Sequence, residues 1–594
     1  MRLLFLSVFV LAANLLMAQD LVILHTNDMH SHLLGFAPEA EYTPLVNDSD
    51  CTLGGFSRIA GAIKSEKAKS ADKLLVVDAG DFMMGTLFQS LESDSCFELN
   101  LMKKMGYDFV ALGNHEFDFG SEAFARMVNK SKANGEIPQL LCANFKTSEN
   151  VQPMADLFHN GSILPYSIIQ KNGYKIGILG LIGSGADKII NSYHRVEFSN
   201  AIKVAKRTSK FLKQNEKVDL VVVLSHGGVE RDKNGNWVGE DINLAKASPD
   251  IDIIIGAHTH TRLTEVLKAG NAVIVQTGCY GTSLGKVDVT FDAAHKPSVS
   301  YSLVPMDDRI DADREIQELI ESRYADIERC ALDGLDVKFN QPIFETSFDI
   351  KIDRRKPLES NLGLLVADAV YQYLNTTLGQ NVDLCMVATS AIRNNIEKGS
   401  VGKQNVSDIF NIMPLGEGTD KVPGFSMGKI YITGSELKTV MELMLAFYPS
   451  KGGYSILYSG MKIDYDQSKG LFRKISRIEV GNEKDGFRAV SFSKRNESLY
   501  CLGASTKVLN LTSELRKRSF GLINVKPKHA DGSVIKDQNW LIDTNLNKEG
   551  IQEAKEWHAL FDFFRKMPDT NGNGIPDVPQ LYRTKLNPII ETGK

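Results

Sequence analysis

Five short clusters in this chain have the residue types and spacing that hold cations and move protons. They are Asp28 with His30, Asp81, Asn114 with His115 and Asp118, His226, and His258 with His260. Carboxylates and neutral imidazoles in one set suit Zn, Mn or Fe, whereas Ca and Mg prefer all-oxygen shells. Asp81 follows Gly80, which lets the backbone turn sharply and aim a carboxylate inward. One carboxylate can bridge two cations about 3.5 to 4 Å apart, and Asp81 is the expected bridge. Asn114 offers an amide oxygen to a metal, while His115 beside it is free to donate a proton. Asp118, three residues on, can accept a bond from the His115 ring and keep it charged, so the two read as a general-acid dyad.

The elements that must position these groups are legible around them. Each cluster ends an apolar run of β-branched residues: LVILHTNDMH, LLVVDAGD, FVALGNHEFD, LVVVLSHGG and IDIIIGAHTH. Such runs read as strands buried on both faces, with their ends expected at one edge of a single sheet. Taken singly, an Asp at a strand end is as well explained as a cap or turn residue, and a lone DxH or HxH is weak. The ordered recurrence at five strand ends is what points to a metal site.

Length and composition bound the rest. At 594 residues the chain exceeds one core, so two domains plus extras are expected. Hydrophobic content of 43% and charged content of 24% are those of an ordinary globular protein. A formal net charge of -5 argues against a nucleic-acid partner bound through phosphate neutralisation. Arg2 precedes an apolar stretch from Leu3 to Met17 that ends at Ala18, which reads as a secretory signal over residues 1–18. A retained anchor is the alternative. A cleaved signal implies a periplasmic or secreted protein with no membrane association after cleavage. Seven cysteines without a CxxC pair leave at least one thiol unpaired or paired between molecules, and Cys51 with Cys96 is one bridge the sequence leaves open.

The series DxH, GD, GNHEFD, SHGG and GAHTH resembles the calcineurin-like metallophosphoesterase domain, and its spelling is similar to the exported 5′-nucleotidase and UDP-sugar hydrolase family. The resemblance implies a four-layer α/β/β/α domain over residues 19–305, followed by an α+β substrate-binding domain. It implies one metal held by Asp28, His30, Asp81 and His260, and a second held by Asp81, Asn114, His226 and His258. His115 and Asp118 are the implied catalytic dyad. Two divalent metals of the Zn, Mn or Fe type would then supply a metal-bound hydroxide that attacks phosphorus.

The peptide DADREIQELIESRYADIERCAL reads as one amphipathic helix, a linker over 306–340. Residues 341–525 carry ESNLGLLVADAV, MVATSAIRNNI, VSDIFNIMPLGEG, ITGSELK and SGMKIDYD, which resemble the 5′-nucleotidase C-terminal domain. Asn361 and Arg393 are the substrate-binding candidates this implies. The departures matter as much. Where the family writes Asn-Gly-Gly-Gly-Ile-Arg, this chain has Ala388 to Arg393; where it writes Pro-Phe-Gly, the chain has Pro414, Leu415 and Gly416. An Arg expected before Glu359 is Leu358, with Arg354 and Arg355 upstream, and Phe520 is the weak substitute for the second base-stacking aromatic. Stacking contributes about 1 to 3 kcal/mol per base, so these changes bear on specificity. Nucleotides are the expected small-molecule substrates. The alternatives are a 2′,3′-cyclic nucleotide phosphodiesterase with 3′-nucleotidase activity, a UDP-sugar hydrolase, and, from another class, an inactive binding protein on the same fold.

Residues 526–594 extend beyond the family core. GIQEAKEWHALFDFFRKM spaces Ile551, Trp557, Leu560, Phe561 and Phe564 as a helix stripe. DTNGNGIPD places Asp569, Asn571, Asn573 and Asp577 at calcium-loop positions around Gly574, with Gln580 where a closing Glu would stand. A plain Gly/Asn turn is the other reading.

Overall fold

The computed structural model describes residues 20–36, 38–92, 96–146, 152–193, 196–447, 456–510, 525–536, 540–584 and 589–591. The expected signal and Phe520 lie outside them. The first half is built on strands β1 (Leu21–Thr26), β2 (Leu74–Asp78), β3 (Phe109–Ala111), β4 (Gln139–Leu141), β5 (Ile163–Leu164), β6 (Tyr166–Lys171), β7 (Tyr174–Ile182) and β8 (Leu220–His226). They are followed by the ribbon β9 (Val229–Arg231) and β10 (Trp237–Gly239), then β11 (Ile253–Gly256), β12 (Leu267–Ala269), β13 (Ala272–Val275), β14 (Ser283–Phe291) and β15 (Pro297–Pro305).

These strands form two sheets rather than the single one expected. One has the order β15-β14-β1-β2-β3-β4-β5, the other β12-β13-β11-β8-β7-β6. An apolar run buried on both faces looks the same whichever sheet holds it, which is why the sequence does not separate them. Leu21, Ile23, Leu75 and Val77 of the first sheet pack on Ile178, Val222, Ile253 and Ile255 of the second, making the layer between them. Helices such as Phe56–Ser70 and Glu98–Met105 cover the outer face of the first sheet, and Ala201–Gln214 and Glu240–Ala247 that of the second. The result is the α/β/β/α arrangement. β1, β2 and β3 run parallel, as do β8 and β11, and the expected ligand clusters all follow the carboxyl ends of these strands. Open α/β sheets place ligand sites there.

Two helices, Arg314–Glu321 and Tyr324–Cys330, stand where one was expected. The break at Ser322 and Arg323 lets Arg323 sit 5.2 Å above the Phe97 ring and Tyr324 stack on Phe339 at 4.5 Å. Tertiary anchors here override a continuous helical stripe. The second half is α+β. A four-stranded sheet of Met427–Thr433, Leu499–Ser505, Leu384–Ala388 and Ile456–Ser459 is covered by the helix Asn361–Gln372, which buries Leu362, Leu365, Val366 and Ala369. Residues of the expected extension are interlaced with it: Met427 N donates to Ala554 O at 2.7 Å, and Ile589–Glu591 pairs with Met461–Tyr465. The final apolar stripe folds as a helix from Glu556 to Arg565 that buries Trp557, Leu560, Phe561 and Phe564, while Ile551 lies before it and is 42% exposed. None of the seven cysteines is joined in a disulfide, so no Cys51–Cys96 bridge is present; the Cys96 thiol, buried, donates to Glu92 O. Among the described residues no helix is long and apolar enough to cross a membrane.

Candidate metal centre

Five of the expected ligands hold backbone conformations that side chains rarely adopt. Asp28, His30, Asp81, His258 and His260 have φ between 50 and 74°. Such residues persist only where the surroundings over-determine them. Here the loops tie one another down: Asp28 N donates to Gly80 O, and His30 N to Asp81 O, each at 3.0 Å. Gly113 lets the third loop approach, because a Cβ there would stand 2.2 Å from Asp81 Oδ1.

The side chains then meet. His30 Nε2 lies 3.1 Å from His260 Nε2, His260 Nε2 lies 3.7 Å from Asp28 Oδ1, and His226 Nε2 lies 3.0 Å from Asp81 Oδ2. Three sets of donor atoms fall within 4.8 Å of one another: Asp28, His30 and His260; His30, Asp81 and His115; Asp81, His226 and His258. Asp81 belongs to two of the sets and sits beside the third, 3.9 Å from His30 Nε2.

The donor chemistry fits divalent cations. Asn114 Oδ1 is buried without a hydrogen-bond partner. His30 Nδ1 is 2.9 Å from Met84 O and His226 Nδ1 is 3.1 Å from Ala79 O, bonds that place the proton on Nδ1 and leave each Nε2 lone pair facing the cluster. Burial opposes charge on His226, yet Asp81 outweighs it and raises its pKa to about 10. A divalent cation would compete for the position of that proton. Burial pushes the Asp28 carboxyl up to about 7, against the pull of His226, a cost that a nearby cation offsets.

The dyad residues are joined, His115 Nδ1 to Asp118 Oδ2 at 2.5 Å, and His115 N donates to Asp81 Oδ1 at 2.8 Å. Burial lowers the His115 pKa, but Asp118 and Asp81 reverse the shift and hold it above the ordinary histidine range. A protonated imidazole is a donor and repels a cation, which favours the acid role over ligation.

Several supporting residues had no signal as isolated letters. Glu116 accepts the N–H groups of Gly113, Asp81 and Phe82, uniting two ligand loops. Asn27 links Asp28 to Gly278 O, and its Oδ1 accepts from Thr277. Asp241 accepts from Ser225 and Gly228 behind His226.

The second half reaches into the same place. Tyr280 stacks on His32 at 4.1 Å and stands edge-on to His30 and His260, and it lies within electrostatic reach of Arg393. Asn394 Nδ2 meets His32 Nε2 at 3.1 Å, and Arg354 Nη2 donates to Ile392 O and Arg393 O. Arg393 is therefore at the centre, within electrostatic reach of His30, His115, His258 and His260. Asn361 is not brought there: its Oδ1 accepts from Lys351 N at 2.9 Å and its amide faces Asp349 O. It heads the helix Asn361–Gln372, where an Asn is commonly spent on nearby backbone.

The calcium-type loop closes on itself. Asp569 accepts from the N–H groups of Gly572 and Gly574, and Asp577 from Thr570. The amides of Asn571 and Asn573 both face Glu345, a residue from the strand Pro342–Glu345, whereas Gln580 turns to Ser347 Oγ at 2.8 Å. A carboxylate remote in sequence stands where Gln580 left a gap.

Comparison with known proteins identifies two domain families in the chain. A calcineurin-like phosphoesterase family model matches residues 21–262, and a 5′-nucleotidase C-terminal domain model matches residues 339–488. The trifunctional nucleotide phosphoesterase protein YfkN of Bacillus subtilis (strain 168) is 25% identical over 491 residues, 78% of this chain but 30% of that protein. The 5′-nucleotidase of Rattus norvegicus is 26% identical over 494 residues, 78% of each chain. In overall fold the chain is similar to a 5′-nucleotidase precursor from Thermus thermophilus, with TM-score 0.64, 20% identity, and coverage of 94% of this chain and 99% of that one. Fold and site together define a metallophosphoesterase, a metal-dependent phosphoester hydrolase. Within that class the chain belongs to the 5′-nucleotidase family, in which the metallophosphoesterase domain is joined to a 5′-nucleotidase C-terminal domain.

Proposed function

We propose that this protein is an exported two-metal phosphohydrolase that removes phosphate from nucleotides. The observation that carries this reading is Asp81, whose carboxylate stands between the Asp28–His30–His260 set and the His226–His258 set. Asp28, His30, Asp81 and His260 would hold one cation, and Asp81, Asn114, His226 and His258 the other. Bound cations of the Zn, Mn or Fe type would supply Lewis acidity to the phosphoryl oxygens and an acidified water. The chain's own groups do the rest. His115, kept protonated by Asp118, donates toward the leaving or phosphoryl oxygen. Arg393, beside Tyr280, pins an anionic or hydroxyl group of the substrate from the other half. Export rests on the Arg2, Leu3–Met17 and Ala18 pattern, which supports a mature protein in the periplasm or outside the cell.

Release of phosphate from AMP, 3′-AMP, 2′,3′-cyclic AMP and UDP-glucose on one metal-loaded preparation tests the assignment. AMP as the best substrate supports the 5′-nucleotidase reading, and release from none of the four overturns it. Ala388 and Leu415 depart from the family's nucleoside-binding pattern, so a second reading is a cyclic nucleotide phosphodiesterase with 3′-nucleotidase activity, and strongest turnover of the cyclic ester would select it. The joined His115–Asp118 pair argues against an inactive binding protein.

A further inference from the structure

Lys507 is a half-buried cation that the phosphohydrolase reading leaves without a task. It lies two residues past the strand Leu499–Ser505, with its Nζ 5.1 Å from the centroid of the Phe425 ring. Phe425 packs on Gly416 so closely that a Cβ there would meet the ring at 2.5 Å. Gly416 ends the Pro414–Leu415–Gly416 turn, and Pro414 O accepts from Gln89 Nε2 of the first half at 3.0 Å. Lys507 is within electrostatic reach of Asp118 and Arg393. Phe425 is an aromatic ring packed on the turn that carries Leu415, and a lysine covers it.

Among the described residues the charges around Lys507 do not balance. The anions among them that face it are Glu556 and Asp118. Asp118 is engaged with His115, and Glu556 is 1% exposed, its pKa raised by burial to about 7. Arg393 faces Lys507 as a like charge, and Arg354 adds a further cation beside Arg393. Among the described residues neither Lys507 nor Arg393 has a carboxylate within ion-pair distance. A phosphate at the metals with an uncharged nucleoside leaves Lys507 against a neutral ring. A partly desolvated ammonium gains most from a charge-assisted bond to an anion.

We propose that Lys507, seated on Phe425, receives a second anionic group of the substrate, so that the enzyme prefers phosphate monoesters that carry a further phosphate or carboxylate on their organic part. This deepens the phosphohydrolase reading and rests on it.

Two matched pairs test it on the full, metal-loaded chain. UMP is compared with orotidine 5′-monophosphate, which adds a carboxylate to the base, and AMP with adenosine 3′,5′-bisphosphate. The expected result is a kcat/KM about tenfold or more higher for the doubly anionic member of at least one pair, expressed mainly in KM. Lys507→Gln is expected to bring that ratio close to one, and Lys507→Arg to retain most of it. Metal content and thermal midpoint of both variants separate this effect from misfolding. A ratio near one in the unmodified protein, or a ratio that Lys507→Gln leaves intact, overturns the proposal. Equal release from both members of each pair overturns the proposal alone, whereas no release from any of the four removes the phosphohydrolase reading as well.

Discussion

Asp81 and Glu116 are bound to each other through the backbone: the Asp81 N–H donates to Glu116 Oε2 at 3.1 Å. The same carboxylate accepts from Gly113 at 2.5 Å and from Phe82 at 3.1 Å, so one buried side chain fixes the loops after β2 and β3. A buried N–H left without an acceptor costs about 1–3 kcal/mol. Glu116→Ala is therefore expected to lower unfolding stability by at least that order and to reduce bound metal, while Glu116→Gln, which keeps one acceptor oxygen, loses less. Denaturant unfolding and elemental analysis of the two variants decide it; full metal content in Glu116→Ala would remove Glu116 from the positioning role.

The His115–Asp118 pair predicts both a rate and a pH effect. His115→Ala should depress kcat by about 10²- to 10⁴-fold with metal content unchanged. Because the folded His115 pKa lies above the ordinary value, its proton is held to higher pH than on a free imidazole and is lost as pH rises through the folded pKa, so activity should fall on the alkaline side. Asp118→Asn removes the main raising influence and should move that alkaline limb to lower pH. A limb that stays in place in Asp118→Asn assigns it to another group, and metal loss in His115→Ala moves His115 into the ligand set.

How much of this was legible depends on the kind of signal. The β-branched runs ending at Asp28, Asp81, Asn114, His226 and His258 mark strands and their carboxyl ends, because a buried parallel strand needs continuous apolar surface. The same uniformity conceals which of two sheets each joins. Glu116 and Asp241 were silent because what they do is accept backbone N–H groups, a task any carboxylate at the right turn can perform. Lys507 is brought to Phe425 and Gly416 from a separate segment, and Glu345 reaches the Asp569 loop from more than two hundred residues away. Local pattern carries no information about such pairs. Asn361 misled in the opposite way: its motif context was a family match, but its side chain is consumed by Lys351 and Asp349.

The two halves also meet at a pair of acids. Glu39 N donates to Asp408 Oδ1 at 2.8 Å, and Asn411 Nδ2 reaches the Glu39 carboxyl at 3.2 Å. Burial, with Asp408 adding to it, raises the Glu39 pKa to about 8, and burial raises Asp408 to about 7. Folded values above the unfolded ones mean the contribution is full below about pH 4 and is lost as pH rises through 7 to 8. The thermal midpoint should therefore decline between pH 5 and pH 9, and Glu39→Gln should flatten that decline. A slope unchanged in Glu39→Gln would assign the dependence to other groups.

The Asp569 loop gives the last prediction. Asp569, Asn571, Asn573 and Asp577 carry the oxygen atoms of a calcium shell, and Glu345 supplies a carboxylate from outside the loop. In the present arrangement Asn571 and Asn573 turn their amide nitrogens to Glu345, and rotation of those amides would present oxygens instead. Calcium at about a hundred times its dissociation constant stabilises a folded site by about 2.7 kcal/mol, so a rise in thermal midpoint is expected when calcium is added to protein already loaded at the Asp81 centre. Because Glu345 also bonds through its backbone to Pro576 and Val578, binding should stiffen the join between the strand Pro342–Glu345 and the C-terminal segment. Asp569→Asn and Glu345→Gln should each shrink the calcium-induced rise. A rise of full size in both variants would place the calcium effect elsewhere in the protein and leave this loop a simple turn.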